Sequence, residues 1–132
     1  MRARAVNWLL IAVAATAPGC AAYDQYYMET STARAARPVE EAAFQKAVAL
    51  VAELHYEEAA EELLPLAAAF EEAGDRSRAA EALFWVAFCR EKQGRTDEAT
   101  AGYDRVVRRY LQTVAARQAA ARLSRLRGDS SH

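Results

Sequence analysis

From residue 38 onward apolar side chains recur every three or four positions, in five blocks separated by short polar or glycine-bearing breaks. Phe44, Val48 and Val51 are one such stripe, and Phe84, Phe88 and the position of Glu91 repeat its spacing of four and three. That interval places side chains on one face of an α-helix. The pattern predicts helices over 39–54, 56–73, 77–93, 96–110 and 114–127. Pro38 suits a first helical turn, with Glu40 and Glu41 beside it where the helix dipole favours acids. Gly74 and Gly94 stand where helices two and three should stop, at the position that needs a left-handed backbone. Pro65 lies inside the second helix, removes the bond to the Glu61 carbonyl and predicts a kink there. The run Ala82-Leu83-Phe84-Trp85-Val86-Ala87-Phe88-Cys89 is apolar on every side, and so the third helix should be the central one. In the fifth, Val114, Ala119, Leu123 and Leu126 are expected to face the core. The expected fold is all-α, with about five antiparallel helices.

The helices pair with a period. Residues 80–113 form a 34-residue unit in which Val86-Ala87, the turn at Gly94, Ala99 and Tyr103 fall at fixed offsets. This unit resembles the tetratricopeptide repeat. An earlier copy aligns Tyr56-Glu57-Glu58-Ala59 with Thr96-Asp97-Glu98-Ala99, 40 residues apart rather than 34, the six extra residues lengthening its second helix. Ala47, Ala59, Ala87 and Ala99 are the small residues expected at the closest helix approaches. The resemblance implies a short tetratricopeptide-like α-solenoid over 38–127, with repeats at about 40–79 and 80–113 and a capping helix over 114–127. It also implies a concave groove lined by the first helix of each pair, at Phe44, Val48 and Val51 and at Phe84, Phe88 and Glu91. Two occupancies are open: core covered by the chain's own residues or a second copy, or an apolar groove for a partner segment.

The first twenty residues have another character. Arg2 and Arg4 precede a stretch over 5–17 interrupted only by Asn7 and Thr16, the layout of a secretory signal over 1–19. The Ala17-Pro18-Gly19-Cys20 run resembles the lipobox of bacterial lipoproteins, in which the cysteine becomes the acylated first residue. That resemblance implies lipidation at Cys20 and a membrane anchor, and Ala21 points to the outer membrane. A secreted periplasmic form without lipid is the alternative. Residues 20–37 hold Tyr23, Tyr26 and Tyr27 and then a polar run, and are expected to be a tether; 128–132 are expected to be a disordered tail. Taken together the features resemble the repeat lipoproteins that scaffold outer-membrane barrel assembly, pilus-secretin assembly and Tol-Pal coordination.

Candidate chemistry is sparse. His55 and His132 have no neighbouring ligands at metal-site spacing, Cys89 lies in an apolar helix, and no glycine-rich phosphate loop or nucleophile elbow occurs. Pairs such as Glu57-Glu58 and Glu61-Glu62 are adjacent, and adjacent helical residues do not converge. No catalytic residue, metal site or cofactor is expected, and the expected role is a non-enzymatic scaffold for envelope proteins. A net charge of −1 gives no footprint for nucleic acid. It hides an asymmetry: residues 20–75 carry 12 acids and 3 bases, and residues 76–132 carry 6 acids and 12 bases. A basic face at Arg105, Arg108, Arg109, Arg117 and Arg122 follows, suited to an acidic partner or to anionic headgroups, and self-association of opposite ends into a homo-oligomer is a further expectation.

If the Gly19-Cys20 junction is processed as the resemblance implies, intact-mass analysis of the chain from envelope membranes will find Cys20 first and acylated, and Cys20→Ala will lose the acyl mass. An unmodified first residue at any other position would contradict it.

Overall fold

The computed structural model describes residues 37–129, with side chains from 38 to 128. The expected signal segment, Cys20, the tether before residue 37 and residues 130–132 lie outside the described residues. Five helices follow one another: α1 Arg37–Ala52, α2 Tyr56–Glu72, α3 Arg76–Lys92, α4 Thr96–Arg109 and α5 Val114–Asp129. No strand occurs among the described residues. The connections are short; α1 meets α2 through Phe44 and Phe70, and each later helix packs on the next, so successive helices run antiparallel.

The first three turns have one geometry. At Gly74 the backbone turns left-handed at φ 76°; its N–H bonds the Glu71 carbonyl at 3.0 Å, and the Asp75 N–H bonds Phe70 at 2.9 Å. Gly94 repeats this at φ 75°, with bonds to Glu91 and Arg90. The six-to-one and five-to-two bonds satisfy the last helical carbonyls. Leu54 adopts the same conformation at φ 68°, with Leu54 N–H on Val51 and His55 N–H on Leu50. No glycine announces this turn, yet it lies 20 residues before Gly74, as Gly74 lies 20 before Gly94. The helical pair therefore advances by 40 residues. Asp75 accepts from the Arg78 N–H at 3.1 Å and starts α3; Thr113 accepts from the Ala116 N–H at 3.1 Å and starts α5.

The core follows the small residues. Ala47, Ala59 and Ala99 are fully buried and Ala87 nearly so, as their positions predicted. Between α3 and α4 the approach is close enough that a Cβ on Gly102 would lie 2.9 Å from the Ala87 Cβ. Larger side chains fill the space on either side: Phe44 meets Phe70 edge-on at 6.0 Å, and Phe84 meets Tyr103 at 5.5 Å. Helix α3 packs on α2, α4 and α5, and Arg78 reaches α1 through Glu41 at 2.6 Å and the Phe44 ring. It is the central helix, as its uniformly apolar run predicted.

Helix α2 runs continuously through Pro65, which is exposed. One expectation needs correction. Val114 is 60% exposed and does not face the core: it is the first residue of α5, while Ala119 and Leu123 a turn or more later are buried.

Ion pairs stitch helices across the array. Glu71 on α2 accepts from the buried Tyr110 hydroxyl at 2.7 Å and from Arg109 at 2.8 Å. Glu57 accepts from Gln93 at 2.6 Å and from Arg90 at 3.2 Å. These bonds hold both carboxyls below the ordinary value of 4.5, led by Tyr110 for Glu71 and by Gln93 for Glu57. A depressed native value stabilises the fold above the unfolded value, and the contribution is lost as pH falls through the native value. Urea midpoints should therefore decline below about pH 4.5, and Glu71→Gln should flatten part of that decline. An unchanged profile would remove Glu71 from the account.

The turn geometry yields a paired test by urea denaturation. A left-handed residue with a Cβ costs about 1–2 kcal/mol, and Leu54 is 70% exposed, so little packing is lost with it. Leu54→Gly should raise stability by about 1 kcal/mol after the greater freedom of unfolded glycine is counted. Gly102→Val should lower it by about 2 kcal/mol, because α3 and α4 would have to separate.

Candidate functional site: an aromatic, basic cleft between α3 and α5

Helices α3 and α5 leave a concave cleft of about 370 Å³ between them. One wall comes from α3, through Phe84, Trp85 and Phe88; the other comes from α5, through Gln118, Ala121, Arg122 and Arg125. The α5 residues are spaced three, one and three apart, so one helical face supplies them all. Trp85 and Phe88 meet edge-on at 5.4 Å and remain half-buried, while Phe84 is 7% exposed and forms the floor.

Glu91 fixes the basic wall. One carboxylate oxygen accepts from the Tyr103 hydroxyl at 2.6 Å and the other from Arg122 at 3.1 Å. One side chain on α3 thereby holds α4 and α5 together. Burial, together with the Glu91 carboxylate, pushes the Tyr103 phenol well above its usual range, so it remains a donor. The Arg122 guanidinium carbon stands 5.0 Å from the Phe88 ring centre, and the Lys92 ammonium stands 5.2 Å from the same ring. Such cation-ring contacts contribute about 0.5–1 kcal/mol at exposed sites. Arg125 has no ion partner among the described residues.

The six residues expected to line a groove do not share one surface. Phe44 and Val51, at 1% and 6% exposure, are core. Val48 is half-buried against that core, and Phe84 shows only an edge. Phe88 lines the cleft. Glu91 is engaged within the fold, accepting from Tyr103 and from Arg122. Trp85, Gln118, Arg122 and Arg125 were missing from the expected set. Trp85 lay in the same apolar run, and the α5 stripe was visible once that helix is treated as a wall rather than a cap. The expected basic face is largely paired: Arg108 with Asp104 at 2.8 Å, Arg109 with Glu71 and Arg122 with Glu91.

Other reactive groups do not converge here. Cys89 is fully buried, and burial pushes its thiol up to about 11, which keeps it protonated and unreactive at neutral pH. His55 stands 4.0 Å from Glu58, and both side chains are exposed. No group of three or more potential metal ligands occurs among the described residues. A second, smaller cleft of about 280 Å³ lies on the other flank of α3, between Leu64, Val86 and Arg105, and its Arg90 and Glu98 neutralise each other at 3.7 Å. The α3–α5 cleft thus combines half-exposed aromatic rings with cations that the fold does not use up, an arrangement suited to holding an apolar group beside an anion. No protein-family model matches the chain, and neither a characterised protein nor a solved structure matches it.

Proposed function

We propose that the protein is a lipid-anchored scaffold of the bacterial cell envelope, which captures other envelope proteins in the cleft between α3 and α5. The observation that carries the capture is the Trp85–Phe88 pair, left half-exposed on one wall of a concave cleft while Phe44, Phe70, Phe84, Tyr103 and Tyr110 are buried. Two large rings kept partly in water cost hydrophobic stabilisation that repacking would recover, and a partner side chain recovers it instead. The anchor rests on the N-terminal sequence: a charged head, a short apolar stretch and Gly19-Cys20. No helix among the described residues is long and apolar enough to cross a membrane, so the anchor in this reading is the lipid on Cys20, with residues 21–36 as tether. No step of this role needs a catalytic group, a metal or a cofactor.

Self-association as a structural subunit is a second reading, favoured by the charge left after internal pairing. Glu40, Glu53, Glu61 and Glu72 on and beside α1 and α2 have no ion partner among the described residues, and neither have Arg117 and Arg125 on α5.

Photo-crosslinking tests the first reading. A crosslinking residue at position 118, in the cleft, should give a discrete adduct in cells, whereas one at position 64, in the second cleft, should not. Phe88→Glu should remove the adduct with circular dichroism unchanged, while Phe84→Glu should unfold the domain because Phe84 is buried. Adducts from position 64 alone, or adducts that survive Phe88→Glu, would overturn it.

A further inference from the structure

We infer that the segment held in the α3–α5 cleft is an acidic peptide, with an aromatic or branched apolar side chain set against Trp85 and Phe88 and carboxylates directed at Arg125, Arg122 and Lys92. This rests on the cleft being the capture site and specifies the chemistry of what it captures.

The charge around the cleft carries the inference. The lining contains two arginines and no carboxylate. The two acids nearest in sequence to the aromatic wall are both engaged within the fold: Glu91 accepts from Tyr103 and Arg122, and Glu81 pairs with Arg78 at 2.7 Å. Arg125 and Lys92 form no ion pair among the described residues, and the Lys92 ammonium stands over the Phe88 ring. Elsewhere most arginines are matched: Arg78 with Glu41 and Glu81, Arg90 with Glu57 and Glu98, Arg109 with Glu71. Arg125 and Lys92 therefore remain unmatched beside this concave aromatic surface, whereas the unmatched Arg105 lines the second cleft, which has no aromatic ring in its lining.

Location strengthens their effect. A guanidinium beside apolar walls sheds water more readily than an ammonium, and its planar fork takes a carboxylate through two parallel bonds. Arg122 is already pre-oriented by Glu91 and Phe88, so less side-chain freedom is lost on binding. The shape selects the kind of anion. A flat anionic membrane would meet the exposed rim of α5 but could not reach Trp85 and Phe88 between two helices. A peptide can place an apolar side chain in the cleft and its acids along the rim. The peptide needs both features, since an acid alone leaves the rings wet and an apolar group alone leaves Arg125 unanswered.

Selection of a displayed random-peptide library on the full chain tests this. Bound sequences should be enriched in Asp or Glu within a few positions of Phe, Trp, Leu or Ile. Their affinity should fall about tenfold or more in Arg125→Glu, the loss of one charge-assisted contact, and much less in Arg125→Lys. Binding should also weaken as salt rises from about 0.1 M to about 1 M and the Debye length shrinks from about 10 Å to about 3 Å. Selected peptides that are neutral or basic but still lost in Phe88→Glu would overturn the acidic assignment and leave the cleft as a capture site. A library yielding no sequence sensitive to Phe88 or Trp85 would overturn both. Arg125-dependent binding to vesicles of anionic lipid, with no acidic peptide selected, would replace the peptide with a membrane surface. Salt-sensitive, Arg125-dependent self-association in sedimentation, again with no acidic peptide selected, would replace it with a second copy of the chain.

Discussion

The close approach of α3 and α4 at Ala87 and Gly102 is the constraint on which the remaining geometry depends. At the crossing itself an alanine and a glycine leave no room for a ring, and Phe84 and Tyr103 already fill the space beside it. The small residues Ala79, Ala80, Ala82 and Ala87 are all buried along α3. The large residues of the same helix must therefore go elsewhere, and Trp85 and Phe88 take the flank that faces α5. There the wall opposite is Ala121 with Gln118 and two arginines, which cannot close over two rings as leucines would. An open aromatic cleft is thus a consequence of how tightly the neighbouring helices pack.

The repeated turns make this packing regular. Three identical helix stops at 20-residue intervals give α2 and α3 equal lengths of 17 residues, and the pair period becomes 40. Phe44 and Phe84, Ala47 and Ala87, Ala59 and Ala99, and Phe70 and Tyr110 then occupy matching places in the two pairs. Where the copies differ, the differences are functional candidates. Val48 of the first pair becomes Phe88 in the second, and Val51 becomes Glu91. The first pair therefore buries Phe44 and Val51 and half-buries Val48, whereas the second carries an aromatic ring and a carboxylate that organises Tyr103 and Arg122.

The helices, their order, the central place of α3 and the small residues at the contacts were all legible in the sequence. Their signals are local: apolar spacing, Gly74 and Gly94, and a run with no polar face. The turn at Leu54 carried no such signal, because its left-handed backbone is imposed by the bonds of His55 and Leu54 to the end of α1 rather than chosen by glycine. Val114 looked apolar and inward, yet a first helical residue projects before the helix meets its neighbour. The site was legible only in part. Phe88 followed from the stripe, but Glu91 was read as surface because its two partners lie 12 and 31 residues away. The same distance hid the place of Arg122, expected only as part of a basic face, and of Arg125 beside the aromatic wall, which appears only when α5 folds back onto α3. Charge told a similar story: the two halves of the chain look oppositely charged, yet Glu57 and Glu71 pair with arginines from later helices and consume much of that contrast.

Trp85 reports on both the openness and the sign of the cleft, since Trp8 is the chain's other tryptophan and Trp8→Phe leaves Trp85 alone to emit. Collisional quenching of that emission by iodide and by caesium measures the two properties at once. An open cleft bordered by Arg122, Arg125 and Lys92 predicts ready quenching by iodide and much weaker quenching by caesium, with the gap narrowing as inert salt shortens the Debye length to about 3 Å at 1 M. Emission shielded from both ions would show a closed core at Trp85, and equal quenching by both would show a neutral surface; either result would contradict the account.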